Sequence, residues 1–576
     1  THSWSTVSNS KNLIITGGKI VSDLAGIRMY GGTFELAGGN IEVVRENASF
    51  DEYYYGVYNP RGTVKITSGT IVADTVNTST NTGYGIYNEE DGELQIDGGE
   101  ISASCNAVMN EGKCTVNGGI IYKNPKNKYN RTFNNTGTTI MNGGRISAQK
   151  IEAESVLNTG NFTINNGETY GIYNVTGGKL VVNGGNLNNS DIFSKQYAIY
   201  NEENVKGDKK AIIEITGGNL EKVYSEGQAT ITGGTFKYIY NVKRTTYIDD
   251  SNGRTIEGIM KITGGNVNTS QSRGIQNAGQ MSIKDFIIMI NNSTDYDVYA
   301  VYNVGTLNIE NTTISAYQNY YKDGSAEING IYNSSDLTIN EMTINVRGYG
   351  KYTNDAHGIR NSGSNAKLKM LSGKINVTSS SNYYYYGYKG TPYGIYNENN
   401  AIVEVGNKDG IINNDIIDIS TSQYGVYNNK GKFRFYDGTL KGKVAISGEL
   451  DDIEVNSQIT TKEENSIQTS NLVKDVKIAK LGDKEYSTIK EAIQNCPDLQ
   501  KTTIQLIYKD IYEVSEEGII IPENKNIVLD MNGNNIFCNK KIDNKGTFEI
   551  MDSSSEGKCF AEVINSGNLK LGNIIL

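Results

Sequence analysis

The 576-residue chain has only five prolines, two histidines, one tryptophan and five cysteines. With glycine at 65 residues, scarce proline excludes Pro-rich linkers and a collagen period and calls for many tight turns. His2 and His357 leave almost nothing for a histidine-based triad or a histidine metal site. His357 sits in "DAHGIRN", a variant of a repeated tyrosine phrase, and is expected at the surface. Cys105, Cys114, Cys496, Cys538 and Cys559 are an odd, sparse set without a CxxC pair, so neither a disulfide framework nor a zinc site is expected. No apolar run reaches the length of a membrane span, so no membrane insertion within the chain is expected. The net charge is −10, spread along the chain, which disfavours a phosphate-backbone partner such as nucleic acid. No charged or apolar start marks a signal peptide, and the chain opens on "THSWSTVSNS" and closes on "LKLGNIIL" in mid-pattern. It reads as an excerpt or mature fragment, so these ends say little about location.

What is abundant is repetition. One phrase, apolar-x-apolar-x-Gly-Gly-x-apolar, appears as "LIITGGKI" at Leu13, "LQIDGGEI" at Leu94, "IEITGGNL" at Ile213 and in many variants between. Alternation with period two marks a short strand with one buried face, and the glycines allow positive φ at a corner. A second phrase, "YGIYN", recurs at Tyr84, Tyr170 and Tyr393, with "YGVYN" at Tyr55 and Tyr424. If Ile86 points inward, Tyr87 points outward and Asn88 turns the corner. Asparagine tolerates turn conformations and bonds backbone from its side chain. The corner asparagines Asn59, Asn88, Asn110, Asn174, Asn201, Asn241, Asn277, Asn303, Asn333, Asn361, Asn397 and Asn428 are therefore expected to stack as a structural ladder. The phrase glycine, or an alanine in its place, returns every 26 to 30 residues where copies are well preserved (Gly56 and Gly85; Gly171 and Ala198; Gly274, Ala300, Gly330 and Gly358). Variable spacing without long helical periodicity suits an all-β parallel β-helix whose loops leave from the corners. Residues 1–450 are assigned to this repetitive coil.

After residue 450 the phrases stop, and 451–471 read as an irregular turn and connection. In "YSTIKEAIQNCPD", Thr488 and Glu491 fit a capping box, and Ile489, Ala492, Ile493 and Cys496 share one helical face, which places a cap helix over 487–496. With "IPENKNIVLDMNG" and "GTFEIMDSS" behind it, the segment 472–576 resembles the start of a pectin-lyase-like right-handed β-helix of Gram-positive bacterial surface proteins and some phage tail spikes. The earlier coil resembles, more weakly, the repetitive stalks of adhesin-like members. The resemblance implies a right-handed coil and an extracellular location, at a bacterial cell surface or secreted.

The β-helix scaffold carries polysaccharide lyases and hydrolases as well as inert stalks. The N-T-D, G-H-G and R-I-K motifs of polygalacturonase-like enzymes are absent, and Asp249–Asp250 stands alone in a loop. Glu89, Glu90 and Asp91 follow an asparagine corner and are expected in solvent. No P-loop, dinucleotide fingerprint or calcium nonapeptide occurs, so no catalytic residue, metal or cofactor is assigned. The positive signal is 39 tyrosines. Tyr58, Tyr87, Tyr173, Tyr200, Tyr240, Tyr302, Tyr332, Tyr396 and Tyr427 share the second tyrosine position of the phrase. Stacked turn on turn they would form an outward stripe, which either stiffens the coil by ring packing or offers a platform for a ligand. The tyrosine runs at Tyr53 and Tyr383 are expected in loops beside it. The expected function is an adhesin-like, non-catalytic rod binding a neutral glycan or a host or neighbour-cell surface protein. The alternatives are a lyase or glycoside hydrolase on the same scaffold, or a plain spacer.

Overall fold

The structure is a computed structural model, and it describes residues 5–45, 53–75, 83–123, 131–148, 155–175, 177–189, 196–203, 210–247, 253–320, 326–350, 355–381, 390–406, 417–436, 438–448, 453–455, 460–463, 466–468, 477–486, 488–507, 510–513, 518–554, 557–574. The chain is nearly all strand and forms a parallel β-helix, with one short helix among the described residues. It divides into two compact units, 1–366 with 377–392, and 367–376 with 393–576.

In the first unit each turn of the coil carries three faces. The turn around Asn88 shows the plan. The strand Gly83–Ile96 holds the YGIYN phrase, rounds the asparagine corner and continues into "ELQI". A Gly-Gly corner follows, then the strand Glu100–Ala103. A third corner leads to the next copy, Asn106–Asn110, Lys113–Val116 and Ile120–Lys123. These three strands pair in parallel with the three faces of the turn before, Ile86 opposite Val108, Leu94 opposite Cys114 and Ile101 opposite Ile121. Alternation sets the facing: Ile86, Val108, Phe133, Val156, Ile172 and Ile199 stack as a fully buried column. Each such side chain contributes about 1.5–3 kcal/mol, but only once the turns on either side cover it.

The Gly-Gly corner is fixed by close approach as well as by φ. A Cβ on Gly143 would lie 2.4 Å from the Asn117 carbonyl oxygen of the previous turn. Gly144, next to it, sits at φ 80°, where a side chain is strained.

In the second unit residues 393–398 and the strands Tyr424–Asn429 and Val444–Gly448 stack in parallel in the same way. The stretch expected to be irregular holds short strands, with Thr460–Glu463 and Ser466–Gln468 antiparallel to each other. A separate parallel coil follows. Lys501–Leu506, Asn526–Asp530, Thr547–Met551 and Asn568–Leu571 stack on one face, and Asn535–Asn544 and Cys559–Asn565 pair on another. Its helix spans Ile489–Gln494, with Thr488 Oγ1 accepting the Glu491 backbone N–H at 3.0 Å. Ile489, Ala492, Ile493 and Cys496 are buried in one core with Ile504, Leu506 and Ile521.

Candidate functional site: the tyrosine face and the asparagine corner

The second tyrosine of each phrase lies one residue from an inward isoleucine and one from a corner asparagine. That position leaves Tyr58, Tyr87, Tyr173, Tyr240, Tyr302, Tyr332, Tyr396 and Tyr427 half-buried. Tyr200 is the exception, only 8% exposed.

The stripe expected from the sequence is interrupted. Strand register places Met109, Asn134 and Leu157 in the column between Tyr87 and Tyr173. Gln276 separates Tyr240 from Tyr302, and Arg360 follows Tyr332. The tyrosines therefore form islands. Tyr58 and Tyr87 have ring centroids 5.8 Å apart, with Tyr55 and Tyr84 beside them. Tyr173, Tyr200, Tyr224 and Tyr240 run together, and Tyr200 stacks on Tyr224 at 4.5 Å. Tyr302 stacks on Tyr332 at 5.0 Å, and in the second unit Tyr396 stacks on Tyr427 at 5.4 Å. Tyr224 belongs to the second island but lies in "KVYS", where serine replaces the corner asparagine and no glycine precedes, so the phrase is unrecognisable in sequence.

Charged groups finish the islands in the first unit. Guanidinium groups lie over rings: Arg28 over Tyr58 at 5.1 Å, Arg131 over Tyr173 at 5.4 Å and Arg273 over Tyr302 at 4.8 Å. Carboxylates take the hydroxyls. Tyr58 donates to Glu89, Tyr87 to Glu111 at 2.9 Å, and Tyr200 and Tyr224 both to Glu226 at 3.2 Å. Glu89, expected in solvent, is thus a hydrogen-bond acceptor for a ring of the neighbouring turn. Burial raises the pKa of Tyr58, Tyr87 and Tyr224, helped by the hydrogen-bonded carboxylate at Tyr58 and Tyr87 and by Tyr200 and then Glu226 at Tyr224, and burial with the charge of Glu89 pushes Tyr55 to about 12.

Glu226 is 1% exposed and is neutralised by Arg244 at 2.7 Å. Arg244 comes from an antiparallel hairpin, Lys243–Tyr247 with Gly253–Glu257, inserted after the asparagine corner. Its guanidinium also lies 3.5 Å from Glu202. Asp249 and Asp250 fall outside the described residues.

His357 is a correction to the sequence reading. It is 2% exposed, and Asn329, which precedes it in register at the first position of the phrase, is fully buried too. Burial, then the charge of Arg360, pulls its pKa to about 3, so the ring is neutral. The tyrosine run at Tyr53 also differs from expectation. Tyr53 is exposed, but Tyr54 lies wholly inside the coil, its hydroxyl 2.7 Å from Ser104 Oγ, and Tyr55 is part of the strand. The run at Tyr383 lies outside the described residues.

The corner asparagines hydrogen-bond in series. Asn59 Nδ2 donates to Asn88 Oδ1 at 2.7 Å, and the chain continues through Asn110, Asn135, Asn158 and Asn174 to Asn201 at 2.7–2.9 Å. A second run links Asn241, Asn277, Asn303, Asn333 and Asn361. Asn397 donates to Asn428 in the second unit. All these asparagines are fully buried. The other amide hydrogen goes to a carbonyl at the corner, as from Asn88 to Gly92 at 3.0 Å. Between the two runs stands Ser225, which accepts from Asn201 at 3.0 Å, and the Oδ1 of Asn241 then lacks a donor. Asn135 and Asn158 belong to the ladder although "RTFNN" and "SVLN" have lost the rest of the phrase.

A second asparagine ladder, not anticipated from sequence, runs along the residue before the Gly-Gly pair, or before Asn166–Gly167 in one turn. Asn117 donates to Asp97 at 2.7 Å. Asn142, Asn165 and Asn183 each donate to the preceding member at 2.8 Å, and Thr216 donates to Asn183 at 2.9 Å. This ladder is exposed. Burial lifts the Asp97 pKa, but bonds from Asn117 and Gln95 outweigh it and hold the carboxyl below its usual range.

Among the described residues no three His, Cys, Asp or Glu side chains converge as a metal site. All five cysteines are buried thiols. No family model matches the chain, and no curated protein or solved structure matches it.

Proposed function

We propose that the protein is an extracellular, adhesin-like β-helical scaffold that binds a neutral glycan or a surface protein through its tyrosine islands and does not cut the polymer it holds. The carrying observation is the island itself. In each, half-buried rings stack across successive turns, and in the first unit they lie next to a hydroxyl–carboxylate pair or a guanidinium. A ring face is apolar and its edge polar, the combination that suits sugars and protein surfaces. Several islands in one chain allow weak contacts to add along a polymer. In this reading the coil is right-handed and pectin-lyase-like, at a bacterial surface or secreted. The helix Ile489–Gln494, with its Thr488 cap ahead of a parallel coil, supports that kinship.

The test is a glycan and surface-protein array with the wild type and a Tyr302→Ala/Tyr332→Ala/Tyr396→Ala variant, beside a reducing-end assay on common polysaccharides. Binding by the wild type, lost in the variant without new reducing ends, is expected. Release of reducing ends refutes the non-catalytic reading, and binding that survives the triple substitution removes the tyrosines from it.

A further inference from the structure

The second tyrosine island differs from the others in how its hydroxyls are held. The strands Ile199–Asn201 and Asn219–Ser225 lie on successive turns and pair in parallel, which sets Tyr200 directly against Tyr224. Their rings are stacked, with centroids 4.5 Å apart and planes 8° from parallel, the closest ring pair among the described residues. Both hydroxyls donate to a single atom, Oε1 of Glu226, at 3.2 Å. The Arg244 guanidinium pairs with the other carboxylate oxygen at 2.7 Å. In the first island Tyr58 and Tyr87 instead donate to separate carboxylates, Glu89 and Glu111.

Stacked rings whose hydroxyls meet at one oxygen hold their ortho carbons, those next to the hydroxyl, against each other. The ortho carbons carry much of the unpaired electron when a phenol is oxidised. A phenol gives up that electron readily only if its proton leaves too, and Glu226 is the base placed to take it. Tyr200 is 8% exposed, so an oxidant in solvent meets the outer rings first. Tyr173 and Tyr197 lie 5.3 and 5.7 Å from Tyr200, and Tyr197 and Tyr240 lie 4.9 and 5.3 Å from Tyr224. Electrons pass between rings in contact, and the electron deficit settles where a proton acceptor waits. The pair also stands at a particular place in the coil. Tyr200 and Tyr224 immediately precede Asn201 and Ser225, the step at which the buried amide ladder is interrupted.

We propose that Tyr200 and Tyr224 are an oxidative cross-linking site, at which a one-electron oxidant converts the stacked pair into a dityrosine joining two successive turns. Each phenol gives one electron to the oxidant and its hydroxyl proton to Glu226, which passes it to water. The two tyrosyl radicals then form a carbon–carbon bond between their ortho carbons. The hydrogen on each of those carbons moves as a proton to the phenol oxygen, which restores both rings. The chain loses two hydrogen atoms, and two equivalents of oxidant are reduced. In the product both hydroxyls flank the new bond and still face one acceptor. The bond closes covalently the step that the ladder leaves open. The site rests on ring geometry and stands whether or not the islands bind a ligand.

The test is brief photo-oxidation of the full chain in dilute solution with tris(bipyridine)ruthenium(III), generated by light and persulfate. Trypsin cleavage after Lys195, Lys206, Lys222 and Lys237 puts the two tyrosines in different peptides, in which Tyr197 is the only other tyrosine. The wild-type single chain is expected to become lighter by two hydrogens and to gain dityrosine fluorescence. Its main cross-linked peptides should be joined at Tyr200 and Tyr224, as assigned by fragmentation. Tyr224→Phe abolishes that product. Glu226→Gln, which keeps an acceptor but not the base, slows its formation by about tenfold or more. Circular dichroism melting curves matching the wild type establish that both variants are folded. No intrachain link in the wild type, a main link through Tyr197 or in another island, or an unchanged rate in folded Glu226→Gln would each overturn the proposal.

Discussion

The first unit contains two ladders made from the same residue at the same turn spacing and with the same 2.7–2.9 Å bonds, one dry and one wet. Geometry alone does not rank them. In the buried ladder a lost amide leaves its neighbours' donors and acceptors without water, and each orphan costs about 1–3 kcal/mol. In the exposed ladder water replaces whatever is removed. What holds the exposed corner is steric: the glycines beside the ladder touch the backbone of the turn below.

The comparison is broken most strongly by Asn158→Leu. It strands the Asn135 amide donor, the Asn174 acceptor and the Lys179 carbonyl that Asn158 now serves. A loss of about 3–5 kcal/mol is expected, by summing two or three such orphans. Hydrogen exchange should show it as lost protection in the turns containing Asn135 and Asn174. The next effect comes from the exposed corner but not from its asparagine. Gly143→Ala should cost about 1–3 kcal/mol, because the Cβ meets the Asn117 carbonyl and the backbone must shift. Chemical denaturation of the two variants measures both.

Ser225→Asn should act in the opposite direction. It supplies the missing donor to Asn241 Oδ1 and joins the two buried runs. A gain of about 1 kcal/mol is expected, read as a higher denaturation midpoint. The smallest effect belongs to Asn142→Ala, in the middle of the exposed ladder, which should stay within about 0.5 kcal/mol. If Asn142→Ala proved as damaging as Asn158→Leu, the distinction between the ladders would fail.

The parallel coil was legible because alternation survives in nearly every turn: Ile86, Leu94 and Ile101 each point inward as their neighbours' polarity requires. The helix was legible from a local signal, Thr488 three residues ahead of Glu491. The course of the tyrosine column was not, because which residue follows Tyr87 one turn on depends on loop lengths, and register there selects Met109. Asn135 was hidden for a related reason, and Asn158, in "SVLN", was legible as a degenerate copy of the phrase but not as a ladder member. Their turns keep the corner amide, which the ladder requires, and have lost the tyrosine and glycine by which the phrase is recognised. The exposed ladder was invisible since Asn, Asp and Thr before a glycine pair are ordinary turn residues, and only the stack reveals their bonding. His357 was misplaced because its phrase position is half-buried in most turns and buried in its own.

Each buried amide donates from the lower-numbered turn to the higher one, so the ladder has a direction, and it matches the direction of synthesis. A turn that has just closed ends in an amide hydrogen with no acceptor, at the exposed lip of the growing coil. The next turn satisfies that hydrogen only by placing its own asparagine oxygen directly above, which simultaneously sets its strand register on two faces. The corner therefore gives the coil a polarity that runs with the chain, each turn offering the donor that the next one's asparagine must meet.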